Sequence, residues 1–516
     1  MRATAPWPLA AAAGLASGGL ALGVAEVLAA VISPTTAPLL VVGDAFVDVT
    51  PSWLKDVAIS AFGTNDKVAL FVGMGVVVAA LAALAGVVAL RRRYAGVAVV
   101  ALLGVVAVVA ATTRPAAGTL DALPSLAGVA VGAVVLVRLV DRLATGADCR
   151  RDAQSRTTPA AARRSFLTAV GVTVLAAATG GVVGRLVGRS ARDVSATRAA
   201  LDLPPPARAA PTPTGAVTLD VAGITPWQTP NAEFFRIDTA LAVPHVDPRD
   251  WRLRVHGLVE REVEISFDDL VASDLVEEWI TLTCVSNPVG GDLAGNARWL
   301  GLPVRELLHR ARPDQGADMV LSRSVDGFTA STPLDVLMSS PQALLAVGMN
   351  GEPLPLEHGY PVRMVVPGLY GYVSATKWVV DLEVTRFQDA TAYWTDRGWA
   401  ERAPVKTASR IDVPRPSARL EPGPVVVAGV AWAQTRGIER VEVSVDDGPW
   451  VAAQLAEQHD VDSWRQWRLE WDATPGSHAL RVRATDGTGE TQTAERVDPV
   501  PDGASGWHSV TVTVLG

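Results

Sequence analysis

The chain has 516 residues, of which 49% are hydrophobic, and its formal net charge is −8. This length is too great for one ordinary domain and predicts three or four units. Residues 1–190 hold 16 Lys/Arg and 9 Asp/Glu, a net of +7, so the remainder carries −15. Because the basic part is also the apolar part, it indicates a membrane, and the acidic remainder argues against a nucleic-acid partner.

Apolar runs dominate the first 190 residues. A helix needs about 20 residues to cross about 30 Å of hydrocarbon, and each run approaches that length. We therefore expect an all-α transmembrane region, residues 1–190, with about five helices. The runs are Leu9–Ile32, Val68–Leu90, Ala95–Thr113, Leu123–Val140 and Phe166–Gly184.

Basic residues predict the orientation of these spans. Arginines 91–93 follow the second run, and further arginines surround the linker between the fourth and fifth runs. The loop between the first two runs is acidic instead. By the positive-inside rule, the arginine loops lie in the cytoplasm and everything after about residue 188 lies outside. The prediction is a multi-pass cell-membrane protein with its C-terminal part on the extracytoplasmic side.

The fifth run begins with a short motif, Ala162-Arg163-Arg164-Ser-Phe166-Leu167. It resembles a twin-arginine export signal, which serves proteins that cross the membrane folded, often with a cofactor already inserted. The alternative interpretation is a pair of ordinary positive-inside arginines before a helix.

No histidine precedes His245. A b-type haem is usually held by paired imidazoles, so no haem is predicted in the membrane region. Electrons would then pass to or from a separate carrier, such as a cytochrome or a quinone-linked protein. The spans would anchor the chain or dock that partner. Residues 191–216, rich in proline and alanine, read as a semi-extended linker.

Residues 217–409 alternate short strands with short helices, which predicts an α+β domain. Ser266 and the following Asp residues indicate a capped helix start, and Pro303–Ala311 has the pattern of an amphipathic helix. Strands are expected at Trp251–His256, Val263–Phe267, Met319–Ser322 and Val362–Val366. Neither of the glycine-rich nucleotide-binding motifs, GxGxxG and GxxxxGK(S/T), occurs between a strand and a helix, so the sequence does not support a nucleotide site.

Cysteine is the residue of greatest chemical interest here. Cys284 ends an apolar strand, Ile280–Thr283, and opens a loop rich in glycine and proline. Such a cysteine is often a small buried hydrophobe, but it can also give a thiolate ligand to a soft metal. The other cysteine, Cys149, falls in the cytoplasmic linker of the predicted topology, so the two would not pair.

Five sequence blocks occur in order around Cys284. They are Thr281–Cys284, Gly295–Pro303, Asn350–Pro355, His358–Gly368 and Thr376–Trp378. Together they resemble the molybdopterin domain of the sulfite oxidase family. The resemblance implies a molybdenum–molybdopterin cofactor, with Cys284 as the metal ligand.

The same resemblance implies several contacts to the pterin and its phosphate. The segment from Asn231 to Arg236 resembles the entry loop of the family, although the arginine lies one residue early. His358 and Arg363 would contact the pterin or the phosphate, and Thr376 and Lys377 would complete the phosphate cradle. Taken singly, His358 could be a turn residue and Arg363 a charge at a strand edge.

Two positions depart from the pattern of members that oxidise sulfite. Val289 stands where the family has an arginine five residues after the cysteine, and Trp399 stands where it has a tyrosine. Removing a cationic donor weakens binding of a doubly charged anion, and an indole has no phenolic proton. Arg298 and Trp399 are expected to line the substrate pocket, and sulfite is not expected to be a good substrate.

Residues 410–516 show short strands separated by turn signals, which predicts an immunoglobulin-like β-sandwich. The segment Ile438–Trp450 resembles the dimerisation domain that follows the molybdenum domain in this family, which implies a homodimer.

The sequence thus predicts a membrane-anchored, extracytoplasmic molybdopterin oxidoreductase that acts on a small molecule by two-electron or oxygen-atom-transfer chemistry. Two alternatives are a reductase of the same fold, acting on sulfoxides or other oxo-substrates, and a cofactor-free anchored β-module used in adhesion or assembly.

Overall fold

The computed structural model describes residues 7–51, 54, 61–62, 66–114, 117–148, 159–190 and 193–516. Cys149 lies outside this range. The chain divides into two compact units. The first comprises Met1–Asp193 with Ala240–Val243, and the second comprises Val194–Thr239 with Pro244–Gly516.

The first unit is helical. Five of its helices are long and apolar enough to cross a membrane, which indicates membrane association and agrees with the five predicted runs. The structure adds one helix that the sequence pattern did not predict, α2, which begins at a proline. The helices are α1 Trp7–Ile32, α2 Pro38–Val49, α3 Asp66–Arg91, α4 Arg93–Thr112, α5 Leu123–Asp148 and α6 Pro159–Ser190.

Small residues let α1 and α3 approach each other closely. A Cβ atom at Gly14 would lie 2.0 Å from the carbonyl oxygen of Ala82, and one at Gly86 would lie 2.0 Å from that of Ala10. Only glycine fits at these two positions, which is the packing expected where apolar helices meet without a hydrophobic driving force between them.

The second unit begins with the short helix α7 Ser195–Ala199 and a sheet of order β2-β1-β10-β5-β6. Strands β1 and β10 run parallel and the other pairs antiparallel. The predicted capped start of α8 is confirmed, and the cap is a capping box, because Ser266 and Asp269 bond each other's backbone N–H groups. The elements are β1 Arg252–Gly257, β2 Val263–Ser266, α8 Phe267–Val271, β5 Met319–Ser324, β6 Thr329–Pro333, α10 Leu334–Ser339 and β10 Val379–Thr385.

A second sheet, of order β3-β4-β7-β8 with β9 also on β7, carries Cys284 directly after β3. Strand β3 is almost wholly buried although it lies at the edge of this sheet. The helix predicted after Pro303 follows β4 directly. The elements are β3 Val276–Thr283, β4 Ala294–Pro303, α9 Val304–Ala311, β7 Leu344–Met349, β8 Glu352–Pro353 and β9 Arg363–Val365.

The last hundred residues form two further sheets, of orders β11-β13-β17-β16 and β12-β19-β18-β14-β15. Their inner faces share one apolar core, in which Trp467 is fully buried. Trp432 and Trp464 point the other way and join the core of the preceding sheets. The strands are β11 Ala408–Val413, β12 Arg419–Leu420, β13 Gly423–Trp432, β14 Ile438–Val445, β15 Val451–Ala452, β16 Gln454–Leu455, β17 Arg465–Ala473, β18 Gly476–Asp486 and β19 His508–Val514.

Candidate active site

Cys284 lies where β3 gives way to a loop. Its backbone N–H donates to the carbonyl oxygen of Leu293 at 2.9 Å, which closes the loop on itself. Asn287 tightens the closure, because its side-chain oxygen accepts from the Leu293 N–H at 3.0 Å. The Cys284 side chain is half-buried, and its Sγ lies 3.0 Å from the Ser286 hydroxyl. A single thiol is therefore held at the rim of the sheet.

Burial raises the pKa of the Cys284 thiol, against the opposing effect of the Ser286 hydrogen bonds. Within the described residues the thiol has no cationic neighbour that would stabilise a thiolate through a hydrogen bond or ion pair. A soft metal would itself favour the deprotonated form.

Arg363 is a buried cation in the same sheet. Its guanidinium donates to the backbone carbonyl oxygens of His358 at 3.1 Å, Met364 at 3.3 Å and Ala375 at 3.5 Å. It also lies over the ring of Trp299, 5.1 Å from the centroid. No carboxylate pairs with it in the described part of the chain. Burial lowers the pKa of Arg363 to about 9.

A buried guanidinium without a carboxylate is costly, because carbonyl dipoles replace only part of its hydration. The protein therefore carries one uncompensated positive charge at this point of the fold. An anionic group bound beside it would supply the missing countercharge.

His358 lies next to this cation. Its Nε2 atom lies 3.1 Å from the backbone oxygen of Asn231, which can only accept, so this nitrogen carries the proton. Burial, together with the positive charge of Arg363, lowers the pKa of His358 to about 4. The ring is thus neutral near pH 7, and Nδ1 is left as an acceptor. The ring packs edge-on against Phe234 at 5.6 Å.

Asn231 has its own side chain engaged elsewhere. Its amide nitrogen donates to a Glu352 carboxylate oxygen at 2.5 Å and its amide oxygen accepts from Asn350 at 2.7 Å. Its backbone carbonyl, not its side chain, therefore links it to His358.

Arg236 and Lys377 share one carboxylate, that of the buried Asp238. The Arg236 Nε atom donates to Asp238 at 2.5 Å, and the Lys377 ammonium contacts the other oxygen. Lys377 also donates to the carbonyl oxygen of Glu357 at 3.1 Å. One buried carboxylate thus holds both cationic side chains together at this point.

Thr376 is fully buried, and its hydroxyl lies 2.7 Å from the hydroxyl of Ser322. The segment that contains it lies close to the cysteine strand. A Cβ atom at Gly371 would lie 3.6 Å from the Ala375 methyl group and 3.8 Å from the carbonyl oxygen of Thr283. The structure thus brings Asn231, Arg236, His358, Arg363, Thr376 and Lys377 together, and places the 371–376 segment beside the strand that ends at Cys284.

Arg298 lies farther along the sheet. On the neighbouring strand β3 its partner is Trp279, which precedes Cys284 by five residues. The Arg298 guanidinium lies 3.5 Å from the Glu277 carboxylate and 5.9 Å from the Trp279 ring centroid. At about 3.4 Å per residue, it lies about 14 Å along β4 from Ala294, the partner of Thr283. The structure does not bring Arg298 together with Cys284.

Trp399 belongs to an aromatic cluster. Its ring lies 5.7 Å from that of Tyr372 and 6.3 Å from that of Trp394. The Tyr372 hydroxyl donates to the carbonyl oxygen of Ala400 at 2.6 Å, which holds this segment against the 371–373 turn. Val289, half-buried, is part of the loop that follows Cys284.

Two residues of this region were missed by sequence reasoning. Asp238, two residues after Arg236, could have been noticed as a nearby counterion. Tyr370 is buried, and burial raises the pKa of its phenol to about 12, with smaller contributions from the charges of Asp502 and Cys284. Nothing in the local sequence distinguishes Tyr370 from the other tyrosines.

Two family models match the part of the chain that contains this site and the part that follows it. The oxidoreductase molybdopterin binding domain matches residues 240–394, and the Mo-co oxidoreductase dimerisation domain matches residues 401–514. An uncharacterized oxidoreductase of Bacillus subtilis, YuiH, is 31% identical over 179 residues, which cover 35% of this chain and 87% of YuiH. The chain belongs to the sulfite oxidase family of molybdopterin oxidoreductases.

Other relatives in the family are matched over only part of their length. Mitochondrial sulfite oxidase of Rattus norvegicus is 30% identical over an alignment 341 positions long that covers 56% of this chain. That of Homo sapiens is 29% identical over an alignment of the same length that covers 55% of this chain. The matched part is 62% of the length of either relative. The crystal structure of the sulfane dehydrogenase SoxCD from Paracoccus pantotrophus shares the fold, with a TM-score of 0.50, 24% identity, and coverage of 58% of this chain and 83% of that one.

Membership of a family of molybdopterin oxidoreductases argues against the alternative of a cofactor-free β-module. The residues present fit the cofactor that the family implies. The buried Arg363, which has no carboxylate partner in the described part of the chain, suits an anionic pterin phosphate, and the neutral His358 offers an acceptor nitrogen. The half-buried Cys284 thiol suits a soft metal.

Proposed function

We propose that the chain is a membrane-anchored oxidoreductase that performs two-electron or oxygen-atom-transfer chemistry outside the cytoplasm. The observation that carries the proposal is the buried Arg363, whose positive charge has no carboxylate partner in the described part of the chain, in the sheet whose edge strand ends at Cys284. When bound, molybdenum supplies the two-electron chemistry.

The proposed roles follow from the contacts of each residue. Cys284 binds the metal through its sulfur. Arg363 neutralises an anionic group of the cofactor, and His358 accepts from a pterin N–H through Nδ1. Thr376, Lys377 and Arg236 hold the phosphate, and Asn231 orients the His358 ring through its backbone oxygen. In each case the protein contributes binding and orientation.

The substrate we propose is a small molecule with less negative charge than sulfite. Val289 supplies no cation to the loop after Cys284, and the Trp399 cluster offers aromatic faces. Burial, and to a smaller extent the charge of Asp502, raises the pKa of both Tyr370 and Tyr372, so these two phenols stay neutral. Arg298 is less suited to a pocket role than Trp399, because it is engaged with Glu277.

This substrate preference also favours a second candidate, reduction of a neutral sulfoxide or a related oxo-substrate at the same site. An S=O group carries no formal charge, so it does not require the missing arginine. The direction of electron flow would be opposite, and a separate electron carrier would supply the electrons.

The remaining features complete the proposal. The five apolar helices anchor the chain as a multi-pass cell-membrane protein, and the twin-arginine motif directs the folded part outward. The two C-terminal sheets are an immunoglobulin-like sandwich that forms a homodimer, as the name of the matching domain model suggests.

Two measurements test the proposal. Molybdenum and pterin analysis of the purified full-length protein should give about one of each per chain, and a clean protein without either would contradict it. Turnover should then be compared on sulfite, other oxo-anions and sulfoxides with artificial electron carriers. We expect a high Michaelis constant for sulfite and better turnover on a neutral substrate.

Val289→Arg provides the decisive comparison. A hydrogen bond from a charged donor is worth about 1.5–3 kcal/mol, so this variant should lower the Michaelis constant for sulfite roughly ten- to a hundred-fold. Val289→Met adds bulk without charge and should not. A low Michaelis constant for sulfite in the wild type would show that the pocket is already cationic.

A further inference from the structure

Strand β3 has one edge without a strand partner in its own sheet, yet groups from later in the chain bond that edge near Cys284. The N–H of Thr281 donates to the carbonyl oxygen of Asp462 at 2.9 Å, and the carbonyl oxygen of Thr281 accepts from the Gln434 side chain at 2.8 Å. The backbone N–H of Trp464 donates to the Thr281 hydroxyl at 2.8 Å. These three partners lie more than 150 residues later in the chain, in the connections between strands of the C-terminal sheets.

The loop after Cys284 is held by the same part of the chain. Arg410 donates to the carbonyl oxygen of Gly291 at 2.7 Å. The His508 ring packs directly against Gly290, so that a Cβ atom there would lie 2.1 Å from the ring Cδ2. Gly290 also has a φ of +81°, which other residues rarely adopt. The strand before the cysteine and the loop after it therefore both rest on the C-terminal sheets.

Gln434 is the central contact. It is 1% exposed, and its amide nitrogen bonds both the Thr281 carbonyl oxygen and, at 3.2 Å, the Thr283 hydroxyl. Thr283 immediately precedes Cys284. One buried amide thus bonds the strand at two points, within three residues of the sulfur.

We infer that the C-terminal sheets set the position of the Cys284 sulfur, with Gln434 as the positioning residue. The inference rests on the proposed role of Cys284 as metal ligand, and it gives the C-terminal part a function within each chain besides dimerisation. A ligand sulfur must be held within about 0.5 Å of its working position by its supporting residues. An edge strand bonded by one sheet alone would allow the sulfur to move farther than this tolerance.

The test compares two buried glutamines in full-length protein with Cys149→Ser, so that Cys284 is the one remaining thiol. Gln434→Met keeps the side-chain length and removes the donor. Gln492→Met is the matched control, because Gln492 is also buried but bonds only Ser409, Ala484, Gly506 and Trp507 of the C-terminal part. The rate of Cys284 modification by a thiol reagent is measured in protein prepared without molybdate, along with Tm and oligomeric state.

We expect Gln434→Met to raise the modification rate about fivefold, the equilibrium factor that corresponds to about 1 kcal/mol, and Gln492→Met to leave it unchanged at a similar loss of Tm. Equal rates in both variants, or rates that simply follow Tm or dimer loss, would overturn the inference. The ligand role is decided separately. If Cys284→Ser leaves the molybdenum spectrum of the loaded protein unchanged, then the proposed function fails whatever the thiol rates show.

Discussion

At the scale of single residues, the sulfur of Cys284 has no equivalent elsewhere among the described residues. A hydroxyl is a poorer ligand for a soft metal than a thiolate, so Cys284→Ser should retain the fold and abolish turnover. Thermal unfolding, turnover and molybdenum spectroscopy measure the three effects. Cys149→Ser serves as the control and should leave turnover intact. Full activity with an unchanged spectrum in the Cys284 variant would remove this residue from the metal site.

The buried charge of Arg363 is expected to destabilise the folded protein until an anion binds beside it. In cofactor-free protein, Arg363→Met should leave Tm equal or higher, since replacing a buried unpaired ion by an apolar group is often neutral or stabilising. In protein expressed with molybdate, the same variant should lose most of its pterin. Arg254→Met is the control, because Arg254 is exposed and pairs with Glu262. A large fall in Tm of the cofactor-free Arg363 variant would mean that its carbonyl bonds outweigh the cost of burial.

At the scale of elements, local patterns and distant contacts were predictable to different degrees. The capped helix start at Ser266, the helix ending at Ala311 and the strands at Trp251–His256 and Met319–Ser322 follow from residues within one turn or one strand, and the structure confirms them. Helix α2 was missed because its 12 residues are too few to register as a membrane span.

The site shows the same division. Its cysteine and basic residues lie in recognisable blocks, whereas the bond from Gln434 to Thr281 joins residues 153 apart, with no local signal in either segment. The sharing of Asp238 by Arg236 and Lys377 likewise depends on the closure of two loops. Such contacts arise from tertiary packing and are not visible in periodicity or spacing.

Asp462, whose backbone carbonyl accepts from Thr281 at the edge of β3, has a side-chain carboxyl group that should make the free energy of unfolding depend on pH. Asp462 is 5% exposed, and burial raises its pKa from 3.8 to about 7, helped by the nearby charges of Asp460 and Glu278 and opposed by a bond from the Thr435 N–H. The folded protein therefore keeps this proton up to about pH 7, while the unfolded chain releases it near pH 4. The free energy of unfolding should fall as the pH rises between these values, by on the order of 2–4 kcal/mol.

Asp462→Asn should flatten this dependence and make the variant more stable than the wild type above pH 7. Denaturant unfolding at several pH values between 4 and 8 measures the slope. Asp335→Asn, at an exposed position on α10, should leave the slope unchanged. If the free energy of unfolding of the wild type falls no more steeply over this pH range than that of Asp462→Asn, then Asp462 is ionised in the folded protein.

At the scale of the whole molecule, the long apolar helix α6 precedes the second compact unit in the chain, and a pair of arginines lies near the start of this helix. Arg163 and Arg164 are both exposed, close to the beginning of α6, and the chain continues from that helix into the unit that contains Cys284. Two explanations compete. A twin-arginine signal depends on the guanidinium groups themselves, whereas the positive-inside effect depends on charge alone, and lysine preserves the charge.

Replacing Arg163 and Arg164 with lysine therefore separates the explanations. If the folded part is exported by the twin-arginine route, the double variant should keep it inside the cytoplasm, where protease added to spheroplasts cannot reach it. Arg91→Lys with Arg93→Lys changes the same number of residues at the end of α3 and the start of α4 and should leave export intact. Normal protease exposure of the Arg163/Arg164 variant would show that the pair serves topology only. Because a domain with a buried uncompensated Arg363 is expected to gain stability when its cofactor binds, export in the folded state would also explain how the cofactor stays in place during transport.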